Sequence, residues 1–337
     1  MEYMEMMKQQ DPGLEMRMQQ LEEMTQQWIE DNPGFYNAKD LMITIPVVVH
    51  VIWKLSAQNI PDAQIISQID VLNEDFRRLN ADTTNTPVMF QGVAADTEIE
   101  FCLASTDPDG NPTDGITRTE TTVTSFTQNN AMKYDVLGGH DAWPADQYLN
   151  IWVCNLGGGL LGYAQFPGGS SATDGVVIGY KYFGYNSPGG YPYNLGRTTT
   201  HEVGHWLNLY HIWGDDGGAC TGSDLVADTP NQGNNYWGCP SFPQSSCGSE
   251  DMFQNYMDYS DDNCMNIFTE GQRVRMQAAI NFYRAELFES DGCISDLPVA
   301  GFTANHTQVP VDCGVDFTDL SEGLPTAWNW TFEGGTP

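Results

Sequence analysis

Apolar residues at Leu14, Met18, Leu21, Met24 and Trp28 recur at helical spacing until Asn32-Pro33-Gly34 interrupts them, which predicts a helix over about 12–31. The pattern changes at 44–53, ITIPVVVHVI, where β-branched residues run almost without a polar break. Such a run suits a central strand covered on both faces. Ile60 to Asn80 returns to helical spacing through Ile65, Ile66, Ile69, Leu72 and Phe76, and is expected to back the sheet. Further strands are expected at 98–104, 149–154, 160–166 and 175–182, each bounded by Gly, Asn, Asp or Pro. Strands alternating with helices predict a mixed α/β layer. Past residue 211 the periodicity disappears: 212–264 is rich in Gly, Asp, Asn, Pro and Cys and reads as irregular, crosslinked chain. Helical spacing resumes over 269–289 with Thr269 as N-cap, and after a Leu297-Pro298 linker residues 298–337 read as short strands and turns.

Composition narrows the function classes. No stretch approaches the roughly 18 apolar residues of a membrane span. Thirteen Lys plus Arg against 45 Asp plus Glu leave a net charge of −32. That field repels phosphate backbones and anionic lipid, so nucleic acid is not an expected partner. The 9 Trp, 15 Tyr and 15 Phe nonetheless argue for a folded chain. Eight cysteines, four of them between 220 and 264, point to an oxidising compartment and a secreted (extracellular) protein. Met1 opens a polar, Met- and Gln-rich stretch, so a secretion leader is expected to have been removed or to lie outside this sequence.

The chemistry concentrates at HEVGHWLNLYH, residues 201–211, which holds three of the six histidines. A chance H-E-x-x-H is expected in roughly 1% of such chains, and a third His nearby is rarer still. On a helix, His201 and His205 lie one above the other and can share a metal, while Glu202 can reach a metal-bound water as general base. His211 would lie about 9 Å beyond His205 if the helix continued. The chain must therefore turn back between them, and Asn208 is the expected turning point because Asn tolerates left-handed backbone. Three neutral imidazoles with one open position suit catalytic zinc; a closed structural site would call for a fourth ligand, usually Cys.

These eleven residues resemble the metzincin zinc signature, with Asn208 where Gly is usual. The wider run HEVGHWLNLYHIWGD, DLVADTPNQ, GCP and DMFQNYMDYSDDNCMNIFTEGQ resembles the pappalysin (cytophagalysin) family of secreted metalloproteases, over most of 34–290. The resemblance implies an α+β metzincin fold: a twisted mixed sheet with helices above (about 34–208), an irregular lower part (about 209–292) and the cleft between them. Residues 1–33 are then a helical remnant of a pro-region, expected either to pack on the body or to fray, and to leave the chain active without further processing. Met257 would be the buried Met beneath the metal, although a Met in a core needs no such role. Tyr259 would hydrogen-bond the oxyanion, or else simply pack. Leu160 to Phe166, with Leu160, Leu161, Gly162, Tyr163 and Ala164 at its heart, would be the antiparallel edge strand that binds extended substrate, or an ordinary strand. Asp261 and Asp262 would line the pocket for the residue after the scissile bond, an acidic wall favouring Arg or Lys that Asn263 dilutes. The resemblance pairs Cys220 with Cys247 and Cys239 with Cys264; Cys102 and Cys154 fall in apolar strands, where a free thiol is at least as reasonable, and Cys293 and Cys313 stay unassigned. Asp224, Asp228 and Thr229 offer oxygen ligands for calcium, the alternative being a solvated acidic loop. Residues 298–337 resemble the first half of a PKD-type β-sandwich, too short to complete one.

The expected function is that of a secreted, monomeric zinc endopeptidase acting on protein or peptide. The rival is a non-catalytic adhesin or carbohydrate-binding protein on the same scaffold, and the intact Glu202 beside three His argues against it.

Overall fold

The computed structural model describes residues 2–31, 42–293, 301–306 and 314–321. Two helices, α1 (Glu2–Gln10) and α2 (Leu14–Asp31), precede the sheet. The second is the helix expected from the apolar spacing. The two are separated by a turn in which the Asp11 carboxylate accepts from the Gly13 N–H at 3.0 Å. Leu14 and Leu21 are buried, and Glu22 pairs with the fully buried Arg275 at 2.5–2.8 Å, so the segment packs on the body.

Strand β1 (Ile43–Trp53) is the centre of the sheet and is buried at every position but Thr44 and Trp53. It runs parallel to β2 (Ile99–Leu103) over its first half, to β3 (Ile116–Glu120) over its second, and to β4 (Leu149–Cys154) on its other side. Pro46 is tolerated in this central strand because the ladder to β4 starts one residue later, at Val47. Helix α3 (Asp62–Phe76) buries Ile65, Ile69, Leu72 and Phe76 in the main core. It stops short of the expected Asn80, since Arg78 takes a left-handed φ of 51°. Strand β3 has no apolar run to announce it; ITRTE is a half-exposed edge.

Strand β5 (Gly162–Ala164) and β6 (Val176–Gly179) complete the order β2-β1-β4-β6-β5, with β5 antiparallel at the edge. Both are shorter than their sequence ranges. Helix α4 (Arg197–Trp206) packs across β5 and β6, and every one of its residues is buried. The chain that follows is irregular apart from two-residue strands β7 (Ser245–Ser246) and β8 (Ser249–Glu250). Helix α5 (Glu270–Tyr283) opens with a capping box in which the Thr269 hydroxyl accepts from the Gln272 N–H. Its expected extension to 289 is instead a separate 3-10 turn, Ala285–Glu289.

Disulfides join Cys220 to Cys247 and Cys239 to Cys264 within the irregular part. A third, Cys102–Cys293, ties β2 to the chain beyond α5, so Cys102 is not a free thiol, whereas Cys154 is free and buried. Further on, β9 (Phe302–Ala304) and β10 (Phe317–Asp319) form an antiparallel pair. The Leu297-Pro298 linker, Cys313 and the rest of the expected sandwich start lie outside the described residues. Among the described residues no helix is long and apolar enough to cross a membrane.

Candidate active site

Helix α4 places His201 and His205 one turn apart on the same face. The helix then ends at once: the Leu209 N–H returns to the Gly204 carbonyl at 2.9 Å, and Asn208 takes a left-handed φ of 71°. This reversal, at the residue expected from sequence, carries His211 back to the first two. The Nε2 atoms of His201 and His205 lie 3.0 Å apart, and those of His205 and His211 3.1 Å apart.

The opposite ring nitrogens are all committed. His201 Nδ1 faces the Tyr256 carbonyl at 2.7 Å, His205 Nδ1 the Leu209 carbonyl at 2.7 Å, and His211 Nδ1 the Asp215 carboxylate at 2.9 Å. Each acceptor fixes the proton on Nδ1, which leaves three Nε2 lone pairs aimed at one another. Burial holds all three imidazoles below the usual histidine range, His201 at about 4, so none supplies a proton between them. Converging lone pairs repel unless a cation lies among them. The donor set therefore fits a metal, and three neutral imidazoles fit zinc. Among the described residues this trio is the group of His, Cys, Asp or Glu whose ligand atoms all come within 4.8 Å of one another.

Glu202 lies beside the trio, buried, with no donor among the described residues bonded to its carboxylate; burial raises it to about 8. Strand β5 presses close, since a Cβ at Gly162 would lie 3.0 Å from Glu202 Cγ. Met257 is fully buried beneath α4, its Sδ only 2.5 Å from where a Cβ at Gly204 would sit. That contact explains the glycine inside the motif. Tyr259 packs its ring against His201 and His211, with centroids 5.5 and 4.9 Å away.

The cleft runs past Glu202 and Tyr259 in two connected halves. One, about 220 Å³, is lined by Leu160, Leu161, Gly162, Tyr193, Trp237 and Asp262 among others. The other, about 300 Å³, adds Tyr163, Ala164 and Phe166 from the edge strand, together with Tyr3 and Met4 of α1. Asp262 thus reaches the cleft, where burial lifts its carboxyl to about 6. Asp261 does not line it; its carboxylate accepts from the Tyr191 hydroxyl at 2.6 Å, while Asp262 Oδ2 accepts from the Leu195 N–H at 2.7 Å. Asp224 and Thr229 do come together, the Thr229 hydroxyl lying 2.7 Å from the carboxylate and 3.0 Å from the Val226 carbonyl. Asp228 is turned away from them: its carboxylate accepts from the Thr269 hydroxyl and the Gly271 N–H, satisfying the start of α5.

Three residues here escaped the sequence reading. Asp215 orients His211 from four residues on, a spacing with no helix behind it to signal it. Arg197, first in α4, donates to Asp82, to Asp75 and to the carbonyls of Asp262 and Met265, tying the helix to α3 and to the floor of the cleft. Trp237 stands at the rim.

The peptidase family model described as pregnancy-associated plasma protein-A matches residues 128–281. An extracellular metalloprotease of Arthroderma benhamiae is 37% identical over 251 residues, 72% of this chain and 79% of its own length. One from Pyricularia oryzae is 33% identical over 75% of this chain and 80% of its length. Mature mirolysin of Tannerella forsythia, solved with a cleaved peptide, is 56% identical over 74% of this chain and 96% of that one, with a TM-score of 0.71. A point mutant of T. forsythia promirolysin is 50% identical over 85% of this chain and 95% of that one, with a TM-score of 0.75.

Proposed function

The chain belongs to the pappalysin family and is a metalloendopeptidase, and on that premise we propose that His201, His205 and His211 hold one catalytic zinc ion with Glu202 as general base. The observation that carries the assignment is the convergence of three unprotonated Nε2 atoms beside an unpartnered, buried carboxylate. Zinc bound there would polarise the scissile carbonyl and acidify the attacking water. A cation at the trio would draw the Glu202 carboxyl back down from the raised range that burial alone gives it, leaving it ionised to take the proton from that water and return it to the departing amine. The Tyr259 hydroxyl donates to the carbonyl oxygen as negative charge develops on it. The outer edge of β5, beside which α1 packs, pairs with the extended peptide, and Asp262 receives a basic side chain following the scissile bond.

The test is Glu202→Ala. It should abolish cleavage of an internally quenched peptide while elemental analysis still finds one zinc per chain; retained cleavage would place the base elsewhere, and loss of zinc would make Glu202 a ligand.

Secretion is inferred from three disulfides and from relatives described as extracellular. Calcium is proposed at Asp224, with the Thr229 hydroxyl and Val226 carbonyl beside it and Asp228 left to cap α5. Burial raises the Asp224 carboxyl to about 7, a cost that a cation would offset. Chelating calcium with zinc retained should lower the unfolding temperature, and an unchanged melting curve would rule the site out.

A further inference from the structure

Tyr259 is held by rings rather than by a hydrogen bond at its hydroxyl. Among the described residues no protein group bonds that oxygen; the backbone N–H alone is engaged, by the Asp258 carboxylate at 2.6 Å. Around the ring stand His201, His211, Trp213 at 4.8 Å and Trp237 at 5.3 Å between centroids. The first three are buried, whereas Trp237 is 67% exposed.

An indole left so far in water would ordinarily swing freely, yet its backbone is pinned on both sides. The N–H of Tyr236, one residue before, donates to Asp258 Oδ1 at 2.7 Å. The carbonyl of Gly238, one residue after, accepts from the Asp261 N–H at 3.0 Å. Gln232 bonds the other Asp258 oxygen at 2.6 Å, and the Cys239–Cys264 disulfide closes the same loop. Bonds on either side of Trp237 thus run to residues on either side of Tyr259. Two chain segments distant in sequence are clamped together around one ring contact.

We infer that Trp237 is a positioning residue, which keeps the Tyr259 ring where its hydroxyl meets the substrate carbonyl. The inference rests on the reading of Tyr259 as the donor to that oxygen. Leaving the hydroxyl without a protein partner keeps it free for substrate, but orientation must then come from packing. An aromatic pair biases one ring orientation over the others by roughly two- to tenfold. That factor should appear in turnover, because a donor displaced from the developing charge no longer stabilises it.

The experiment is a double-mutant cycle on the full chain, with kcat and KM measured for one internally quenched peptide in W237A, W237F, Y259F and W237A/Y259F. Trp237→Ala should lower kcat by roughly two- to tenfold with KM nearly unchanged, and Trp237→Phe should recover most of the loss. In the Y259F background Trp237→Ala should cost nothing more. The same fold loss in both backgrounds, or a change confined to KM, would mean that Trp237 touches substrate directly and would overturn the inference. Unchanged kcat in W237A beside a fall in Y259F would overturn it alone. Unchanged kcat in Y259F would remove the role of Tyr259, and this inference with it.

Discussion

At Gly204 a missing side chain lets Met257 lie directly against α4, and at Asp262 a buried one is proposed to set what the cleft prefers. With its carboxyl at about 6, Asp262 is mostly neutral at pH 5 and charged at pH 7. The ratio of kcat/KM for a peptide with Arg after the scissile bond over one with Leu should therefore rise between those values, by roughly tenfold. Asp262→Asn should leave the ratio low and flat, and a wild-type ratio independent of pH would remove Asp262 from the specificity pocket. Residues whose partners sit at fixed helical offsets were legible in advance: His201, Glu202 and His205 need only the turn of a helix to meet. Asp215 and Trp237 were not, because irregular loops bring them to the site and no periodicity encodes a loop. Asp261 and Asp262 show the same boundary, adjacent in sequence and turned to opposite purposes.

At the scale of elements, the short length of α4 is what lets the three histidines converge. The Asn208 reversal supplies its end, and the turn is buttressed by Arg275, whose Nε donates to the Asn208 carbonyl at 2.7 Å. Asn208→Gly should keep zinc affinity and activity, since Gly adopts the same backbone freely. Asn208→Val should weaken zinc binding, measured by competition with a chromogenic chelator, because a β-branched residue resists a positive φ at a cost of about 1–2 kcal/mol or more. Equal affinity in the two variants would contradict the role given to the turn. The strands with continuous apolar runs, β1 and β4, were readable to within a residue or so. Polar β3 was missed, and α1 was expected only from the resemblance and not from apolar spacing, because its Met- and Gln-rich sequence shows its apolar side only once Tyr3, Met4 and Met7 find the sheet to pack against.

For the whole molecule, the unexpected feature is where α1 packs. The Tyr3 ring lies 4.5 Å from that of Tyr163 on β5, its hydroxyl donates to Asn130 at 3.0 Å, and Met4 joins His205 and Glu202 in the wall of the cleft. On the proposed reading of β5 as the strand that takes extended substrate, α1 and the peptide would compete for the same face of the cleft. A chain lacking residues 1–31 should show the higher kcat/KM, about tenfold for each 1.4 kcal/mol of docking free energy given up. Equal values for the two chains would mean that α1 does not compete with substrate. The Cys102–Cys293 bond adds a different consequence, one of covalent topology. It closes residues 102–293 into a ring that contains α4, the three converging histidines and the whole irregular segment. One cut inside the ring opens it without covalently detaching anything, whereas one cut before Cys102 or after Cys293 leaves the outer piece held by packing alone. For a peptidase surrounded by copies of itself, the same stray cleavage leaves the chain covalently whole at its centre and releases, at its margins, whatever packing does not hold.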